Sequence, residues 1–588
     1  MPSKQHSPHV AALSLCLFLL PALPVGHAQS MQAPADQKAY KAARNTADPD
    51  AALTALHQFL HDFPDSKRVD DAHTAILQLL LANHGDRKRE IYSEAKFLVS
   101  HAKAGEDRWN QENAVAYALA EAPPNGADLR SAEGWVQDAL RGSTEAKLGA
   151  SMTASALKYK APPPNPAEIH GYYATGRAGV LQTLAEVFFH EGKMAASTST
   201  LDEAAALDPH SGFVFTTRGQ IALAGHREAD ALNDFELAQV YGGLTPALDP
   251  TLQRLYAEIH GGSGKSLDAE IDDRYRQLSP SPFTPAAHVT PAAGHTALLE
   301  LFSGSGCEPC IGADLAVDGI VKAYPRDQAV VLVYDIHAPL PDPLANPDGV
   351  ARSRFYSIPG TPTLFLDGQS VDAVYGTREE AGKRYSAIAS SLDGELAKSS
   401  AVQIDLELNQ VENPEVAAKA TVVIDSAKLE AQQAAFAAAA ARAVASGRSG
   451  AVSTSPSATL TTPSGLVLNF ALVQKEIRYT GENGIRFHPM VVRALAKPSA
   501  TGYPLAENGS ATVTATFDLV TIRKGLSDYL QEFAKHNDRF GPVTFHKVDT
   551  SLPIDDLGVA AWVEDPATHH IFQATFLPLL AEKQVATK

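Results

Sequence analysis

A pair of cysteines, Cys307 and Cys310, constrains the fold of this chain more than any other feature. The apolar residues 298–302 before the pair alternate as a buried strand does and then break on glycines. After the pair, residues 311–323 carry apolar side chains at helical spacing. We therefore expect the thiols at a helix N-terminus, where the helix dipole stabilises a thiolate, with Cys307 the more exposed of the two.

Three readings of the pair remain open at this point. A structural zinc site needs four ligands, yet the 588-residue chain has three cysteines, and neither His295 nor His337 stands at metal-ligand spacing. A structural disulfide is the second reading, although so short a loop constrains the unfolded chain little. The third is a redox site, which the strand-to-helix placement favours. We predict the redox site, with no metal and no cofactor.

Two further segments strengthen a resemblance that begins at the cysteine pair. Residues 329–335 form a second apolar run, and residues 358–368 contain Thr361-Pro362 followed by a strand pattern and a turn ending in glycine. With Cys307-Glu308-Pro309-Cys310, residues 295–397 resemble a thioredoxin-fold domain. The resemblance implies a cis bond before Pro362, substrate binding by the backbone of Thr361, attack by Cys307 and resolution by Cys310.

The sequence departs from thioredoxin itself at two positions. Gly306 replaces the tryptophan before the first cysteine, and Glu300 stands one position upstream of the buried aspartate of that family. The segment is more similar to secreted bacterial thioredoxin-like proteins. In that frame Glu300 is either a buried carboxylate that relays a proton to the second thiol or a solvated charge at a strand end, and both alternatives stay open.

The residue between the cysteines bears on the redox potential. Glu308 places a carboxylate where strongly oxidising relatives have a histidine. A negative charge beside the thiolate disfavours it, which raises the pKa of Cys307 and opposes the helix dipole. We therefore expect a reductase or isomerase rather than a strong oxidant.

The first 28 residues resemble a signal peptide. Lys4 precedes an apolar run over residues 10–20, and Gly26-His27-Ala28 offers small residues at the cleavage positions. The run is too short to span a membrane, which takes about 20 residues, and no later stretch suits a transmembrane span. We expect a periplasmic or secreted protein.

Length and charge bound the remaining possibilities. A chain of 588 residues is too long for one core, so several domains are expected. The net charge of -18 argues against nucleic acid as a partner, because such binding depends on neutralising phosphates.

Residues 29–262 are predicted to form a helical domain similar to tetratricopeptide repeats. Two sets of residues about 34 positions apart, the length of one such repeat, match the pattern. They are Ala185, Phe188, Gly192, Leu201, Ala204 and Pro209, then Gly219, Ala222, Ala231, Phe235 and Ala238. The array either binds an extended peptide or only spaces domains. Residues 263–294, rich in Gly, Ser and Pro, are predicted to be a linker.

Residues 398–588 are predicted to form a β-sandwich, with an Ala/Ser-rich insertion at 434–457. Residues 466–474, 481–494 and 562–574 resemble the β-domain that follows a thioredoxin-like module in some outer-membrane-associated and secreted bacterial proteins. His488 and Arg493 in this region are either ligand-binding or structural residues, and the structural reading is favoured.

These observations predict a multidomain chain with an all-α helical repeat, an α/β thioredoxin fold and an all-β sandwich. The predicted function is an exported thiol–disulfide oxidoreductase acting on protein or peptide disulfides through Cys307, Cys310, Thr361, Pro362 and Glu300. The alternative is a non-catalytic binding or assembly protein in which the thioredoxin-like module is a spacer. The helical repeats are a candidate site for a peptide partner, and the reading as a spacer stays open beside it.

Overall fold

A computed structural model of the chain describes residues 34–121, 129–158, 163–261, 265–288, 294–372, 374–411, 414–445, 465–497, 501–506, 509–537, 540 and 543–580. The predicted signal peptide lies outside them, as do residues 446–457 of the predicted insertion. The described residues divide into two compact units, 34–277 with 534–546 and 278–533 with 547–580. In the described part of the chain, no helix combines the length and the apolar character needed to cross a bilayer.

The first unit is helical. Its helices are α1 Ala35–Arg44, α2 Pro49–Asp62, α3 Val69–Asn83, α4 Lys88–His101, α5 Glu106–Glu121, α6 Leu129–Gly142, α7 Glu145–Lys158, α8 Pro166–His190, α9 Met194–Leu207, α10 Gly212–Ala224, α11 Glu228–Val240, α12 Asp249–His260 and α13 Leu267–Leu278. Helices that follow each other along the chain pack together, as α8 does with α9 and α10 with α11. Local sequence therefore accounts for much of this unit.

Several residues of the predicted repeats are buried on these paired helices. Ala185 on α8 and Ala204 on α9 are fully buried, and so are Ala231 and Phe235 on α11. A Cβ added to Gly219 would lie 2.5 Å from the ring of Phe235, so the small residue lets α10 and α11 approach closely. The structure confirms a helical region here, and the repeat family stays a prediction.

The predicted linker contains a regular helix. Helix α13 spans Leu267–Leu278 inside residues 263–294, and its Ile271 and Tyr275 are buried. Glycine and proline at both ends of the segment suggested a linker, but two apolar residues four positions apart suffice to pack one helical face. Part of the segment predicted to be a linker is therefore a packed helix, and the domain boundaries stay predictions.

The second unit contains both sheets. Its elements are β1 Ala297–Ser303, α14 Ile311–Ala323, β2 Ala329–Asp335, α15 Pro347–Phe355, β3 Thr363–Leu366, β4 Gln369–Val371, α16 Ala381–Leu396, β5 Val402–Val411, β6 Glu415–Ile424, α17 Ser426–Ala445, β7 Val467–Arg478, β8 Phe487–Leu495, β9 Tyr503–Pro504, β10 Gly509–Asp518, α18 Leu519–Lys535, β11 Leu557–Asp565 and β12 His570–Pro578. The larger sheet has the order β12-β11-β7-β8-β2-β1-β3-β4, with β9 beside β7. A smaller antiparallel sheet has the order β10-β6-β5.

Strands from both predicted β-containing domains share the larger sheet. β2 pairs in parallel with β1 and, through Val333 and Val491, with β8. The last strand returns to the start of β1, since Ala574 N–H donates to Thr296 O at 3.1 Å. The predicted boundary between residues 397 and 398 is therefore no break in the sheet, and residues 398–588 do not form a separate all-β domain.

The physical reason is that the strands after residue 466 are apolar on both faces. Phe470 and Leu472 of β7 pack toward the smaller sheet, whereas Ala471 and Val473 belong to the core that also holds Phe302 of β1. Strands buried on both faces read as continuous apolar runs and need cover on each side. The smaller sheet packs on one face of these strands of the larger sheet. Two layers of sheet therefore pack together here, and one of them is part of the larger sheet.

Candidate active site: a buried cysteine pair

The cysteine pair lies at the junction of a strand and a helix. β1 ends at Ser303, the chain turns, and Cys307 precedes a short 3-10 turn, Glu308–Cys310, which leads into α14. Cys307 and Cys310 form a disulfide with a Cα–Cα distance of 5.3 Å. In the reduced state Cys307 would stand at the positive end of α14, where the helix dipole favours a thiolate.

Both cysteines are buried, with an exposed fraction of 0%. Cys307 is therefore not the more exposed of the two cysteines in this disulfide form. The segment after β2 contacts the turn before Cys307, because a Cβ on Gly304 would lie 2.6 Å from the carbonyl oxygen of Ala338. The residues before α16 contact the residue between the cysteines, where Gly376 N–H donates to Pro309 O at 3.0 Å.

The connection between β7 and β8 also contacts the turn before Cys307. Asn483 N–H donates to Ser305 O at 3.0 Å, and a Cβ on Gly481 would collide with the same oxygen. Between them, Glu482 brings a carboxylate oxygen to 3.4 Å from the position that a Cβ on Gly306 would occupy. This loop comes from the region predicted to be a separate domain, so no sequence pattern placed it near the cysteines.

The structure brings Thr361 and Pro362 to the pair. The Thr361–Pro362 peptide bond is cis, and the Thr361 hydroxyl lies 3.5 Å from the Cys307 sulfur. The hydroxyl donates to the carbonyl oxygen of Ala338 at 2.9 Å. The Ala338–Pro339 bond that follows is cis as well. Substrate binding by Thr361 stays a prediction, and the position beside Cys307 is compatible with it.

Glu300 is a buried carboxylate, as the first of the two alternatives proposed for it requires. It is fully buried, so the reading as a solvated charge is wrong. Arg352 donates two hydrogen bonds to its carboxylate, both at 2.9 Å, and the hydroxyls of Tyr334 and Tyr356 donate at 3.0 and 2.5 Å. Within the described residues none of its hydrogen bonds goes to the cysteines. These contacts favour a structural role over a proton relay.

Arg352 links Glu300 to the far end of the chain. This residue on α15 is 1% exposed and donates to Glu564 of β11 at 2.9 Å. Asn469 of β7 donates to the same Glu564 oxygen at 3.0 Å, and burial raises the pKa of Glu564. The buried ion-pair network thus joins β1 to β11. The sequence did not predict this network, because no local pattern pairs Arg352 with Glu564, which lies 212 positions away.

Three aspartates beside the cysteine pair form a carboxyl cluster that the sequence analysis did not identify. Asp314 lies one helical turn after Cys310 on α14 and accepts a hydrogen bond from the Ser303 hydroxyl at 2.7 Å. Asp342 accepts hydrogen bonds from the Ser305 and Leu344 N–H groups at 2.5 and 2.7 Å. Asp335, at the end of β2, completes the group.

Burial dominates the electrostatics of this cluster. It raises the pKa of Asp335 to about 7, and burial together with the charge of Asp335 raises that of Asp342 to about 7. Burial also raises the pKa of Asp314 well above its ordinary value. The three groups repel one another when ionised, so they do not all carry a charge at neutral pH. The sequence signal for this cluster was Asp335, an aspartate at the end of an apolar run.

His488 and Arg493 have structural contacts. His488 is buried and its Nε2 lies 2.9 Å from Tyr479 O, while Arg493 donates to Asp549 O at 2.9 Å. Burial lowers the pKa of His488 and lowers that of Arg493 to about 10. These contacts favour the structural reading of both residues.

A separate group of side chains offers metal-ligand atoms. The ligand atoms of His295, Asp367 and Glu395 lie within 4.8 Å of one another. Asp367 accepts from the Leu298 N–H at 2.8 Å and pairs with His295 Nε2 at 2.8 Å, while Lys398 pairs with Glu395 at 2.6 Å. These pairings account for the group as an ion-pair cluster where β1, β3 and α16 meet.

Comparison with known proteins does not extend these assignments. A scan with protein-family models and a search among curated proteins each found no match to this chain.

Proposed function

We propose that the protein is an exported thiol–disulfide oxidoreductase that reduces or isomerises protein disulfides through Cys307 and Cys310. The observation that carries the proposal is the disulfide at the junction of β1 and α14, with Thr361 and cis-Pro362 against Cys307. The thioredoxin-like pattern of residues 295–397 and the signal-peptide pattern of residues 1–28 support it from the sequence.

The reaction runs in two displacements. In the reduced protein the Cys307 thiolate attacks one sulfur of a substrate disulfide, forming a mixed disulfide and releasing the other substrate sulfur as a thiolate. The Cys310 thiolate then attacks the Cys307 sulfur, which releases the second substrate sulfur and leaves the Cys307–Cys310 disulfide. Two electrons pass to the substrate, and its two thiolates take up two protons. A dithiol reductant must return the electrons before the next turnover.

The charges near Cys307 favour one direction of electron transfer. The dipole of α14 stabilises the Cys307 thiolate, whereas the exposed carboxylate of Glu308 opposes it. A less stabilised thiolate makes the dithiol form a better electron donor, because reduced strong oxidants owe their potential to a stable thiolate. This balance supports reduction or isomerisation.

Cysteine variants test the proposal. Purified mature protein, pre-reduced and freed of reductant, should reduce a model protein disulfide. Cys307→Ser should abolish the reaction, and Cys310→Ser should accumulate the mixed disulfide on a non-reducing gel. Unchanged activity in Cys307→Ser would show that the pair is not the reacting centre.

One observation favours a second candidate function. Both cysteines are inaccessible in the disulfide form, which suits an inert disulfide inside a binding or assembly protein. An open groove between α7 and α8, about 620 Å³ in volume and lined by Leu157, Pro166 and Ile169, offers the helical unit an apolar surface. Deleting residues 29–262 separates the candidates: an oxidoreductase keeps its small-disulfide chemistry without them, and a binding protein has no such chemistry to keep.

A further inference from the structure

We propose that His295, Asp367 and Glu395 form a binding site for one divalent transition-metal ion, for which Zn²⁺ serves as the probe. The three side chains meet where the start of β1, the turn after β3 and the end of α16 come together. The ion cross-links these three segments at the end of β1 that lies away from the cysteine pair. The site is independent of the proposed thiol chemistry.

The first step is the identity and proximity of the donor atoms. One ligand atom of each residue lies within 4.8 Å of the other two, and His295 Nε2 is 2.8 Å from Asp367 Oδ2. Zinc binds histidine nitrogen and carboxylate oxygen at about 2.0 to 2.2 Å, which places two ligands of one tetrahedral ion about 3.4 Å apart. The observed separations lie on both sides of this value, so shifts of up to roughly 1.4 Å bring the three atoms onto one ion.

The second step is the support of Asp367, whose two carboxylate oxygens have different partners. Its Oδ1 accepts from the Leu298 N–H at 2.8 Å, and its own N–H donates to Leu298 O at 2.9 Å. These bonds hold Asp367 on β1, and Oδ2 is the oxygen that pairs with His295. A carboxylate that binds a metal is commonly oriented by such a hydrogen bond from outside the ligand set.

The third step is charge and access. Two carboxylates balance a divalent ion once the ammonium of Lys398, which pairs with Glu395 at 2.6 Å, moves away. The Lys398 side chain is 61% exposed, and an exposed ion pair contributes little to stability. The side chains of His295 and Asp367 are buried, whereas that of Glu395 is 28% exposed. The ion therefore enters beside Glu395 and takes water as its fourth ligand.

A neighbouring histidine gives an independent indication of a ligand here. His570 hydrogen-bonds to the backbone of Asp367, and the next residue, Ile571, donates its N–H to Asp367 O at 3.2 Å. The Nδ1 atom of His570 is buried, and in the part of the chain that the structure describes it has no hydrogen-bond partner. Buried polar atoms of this kind call for a water molecule or an ion nearby.

The ligands come from three separate segments of the chain. His295 and Asp367 are 72 positions apart, so no metal-ligand spacing marks them in the sequence. The donor set of one imidazole and two carboxylates suits zinc, manganese or iron(II) better than the all-oxygen sites that magnesium and calcium prefer.

The experiment titrates Zn²⁺ into tag-free, oxidised, full-length mature protein by isothermal titration calorimetry. Oxidation keeps Cys307 and Cys310 in their disulfide, so thiolates contribute no zinc site. Co²⁺ is titrated separately, because its visible absorption reports the coordination geometry. Urea unfolding with and without Zn²⁺ shows whether the ion binds the folded protein in preference to the unfolded chain.

We expect one Zn²⁺ per chain and a shift of the urea midpoint to higher concentration. His295→Gln and Glu395→Gln should each weaken Zn²⁺ binding by roughly tenfold to hundredfold or more. Lys398→Met should strengthen it by roughly two- to fivefold, because the competing ammonium is gone. His61→Gln is the matched control: His61 pairs with Asp62 at 2.9 Å on the surface, within the described residues this pair has no third ligand nearby, and the variant should bind Zn²⁺ as the wild type does.

Two results would overturn the proposal. Equal Zn²⁺ affinity in the wild type, Glu395→Gln and Lys398→Met would show that the ion binds elsewhere; this comparison holds even if His295→Gln does not fold, since Glu395 and Lys398 are partly exposed. If neither Zn²⁺ nor Co²⁺ binds saturably to the wild type or to Lys398→Met, the group is an ion-pair cluster only. Neither result bears on the disulfide chemistry of the cysteine pair.

Discussion

Replacing Asp335 with asparagine tests the electrostatics of the carboxyl cluster beside the cysteine pair. Asp335 ends β2, is 1% exposed, and within the described residues its Oδ2 atom has no hydrogen-bond partner. Burial raises its pKa from an ordinary value of 3.8 to about 7, and Arg493 offsets only part of this. Asparagine keeps the shape of the side chain and removes the charge.

The magnitude and sign follow from linkage. A carboxyl whose pKa is higher in the folded than in the unfolded protein stabilises the fold fully below the unfolded pKa, and this stability is lost as pH rises through the folded pKa. For Asp335 the loss falls between about pH 4 and pH 7. Moving a pKa from 3.8 to about 7 corresponds to about 4 kcal/mol in the free energy of unfolding, which is an upper bound for a coupled group.

The assay reads the pH dependence of one unit. Trp562 is 1% exposed and lies in the same unit as Asp335, so Trp109→Phe and Trp135→Phe leave it as the sole tryptophan. In that background, urea unfolding is followed by fluorescence from pH 4.5 to 8.5. The wild type should lose stability toward pH 7, and Asp335→Asn should lose roughly 1 to 4 kcal/mol less across the window.

The readout is the slope of the free energy of unfolding against pH. Its absolute value is not used, because a buried amide lowers the free energy of unfolding by about 1 to 3 kcal/mol at every pH. Asp555→Asn, at an exposed position of the same unit, serves as the control. Titration of buried histidines is common to both proteins and cancels in their difference. Equal falls in stability between pH 4.5 and 7 for wild type and Asp335→Asn would refute the reasoning.

Three further predictions address the other parts of this unit. Arg352→Met should lower the free energy of unfolding by about 3 to 5 kcal/mol, since Glu300 and Glu564 lose their buried cation, whereas the exposed Arg354→Met should not; equal urea midpoints would contradict this. Glutathione equilibration should give a potential of roughly -270 to -180 mV, and Glu308→His should raise it; a value near -120 mV would exclude a reductase. Gly481→Ala should speed alkylation of the reduced cysteines, about fivefold for each kcal/mol by which the added Cβ weakens the contact between Gly481 and Ser305. Gly394→Ala on α16, where a Cβ meets nothing, should not change the alkylation rate.

Some features of this protein were present in local sequence. The strand, the cysteine pair and helix α14 follow one another as the alternation and spacing indicated, because period-2 and period-3.6 patterns are properties of adjacent residues. The helical character of the described residues between 34 and 261 was predicted for the same reason. Thr361-Pro362 could be assigned to the pair from a resemblance in order and spacing, and the structure brings Thr361 to 3.5 Å from the Cys307 sulfur.

Other features depend on residues that are distant in sequence. The strands after residue 466 read as a new domain, but their two apolar faces each needed cover, and one face found it against the core of β1 and β2. Glu300 read as a relay or a surface charge because its partner Arg352 lies 52 positions away.

The state of the cysteine pair was likewise decided in three dimensions. Cys307 is buried, and residues 338–342 and 481–483 contact the turn that precedes it. Asp314, Asp335 and Asp342 also come together only in the folded chain, where burial raises the pKa of each. The order and spacing of residues along the chain indicated which side chains are candidates for reaction. Their accessibility and the charges around them depend on the fold, because burial and Coulomb interactions are set by distances in space rather than along the chain.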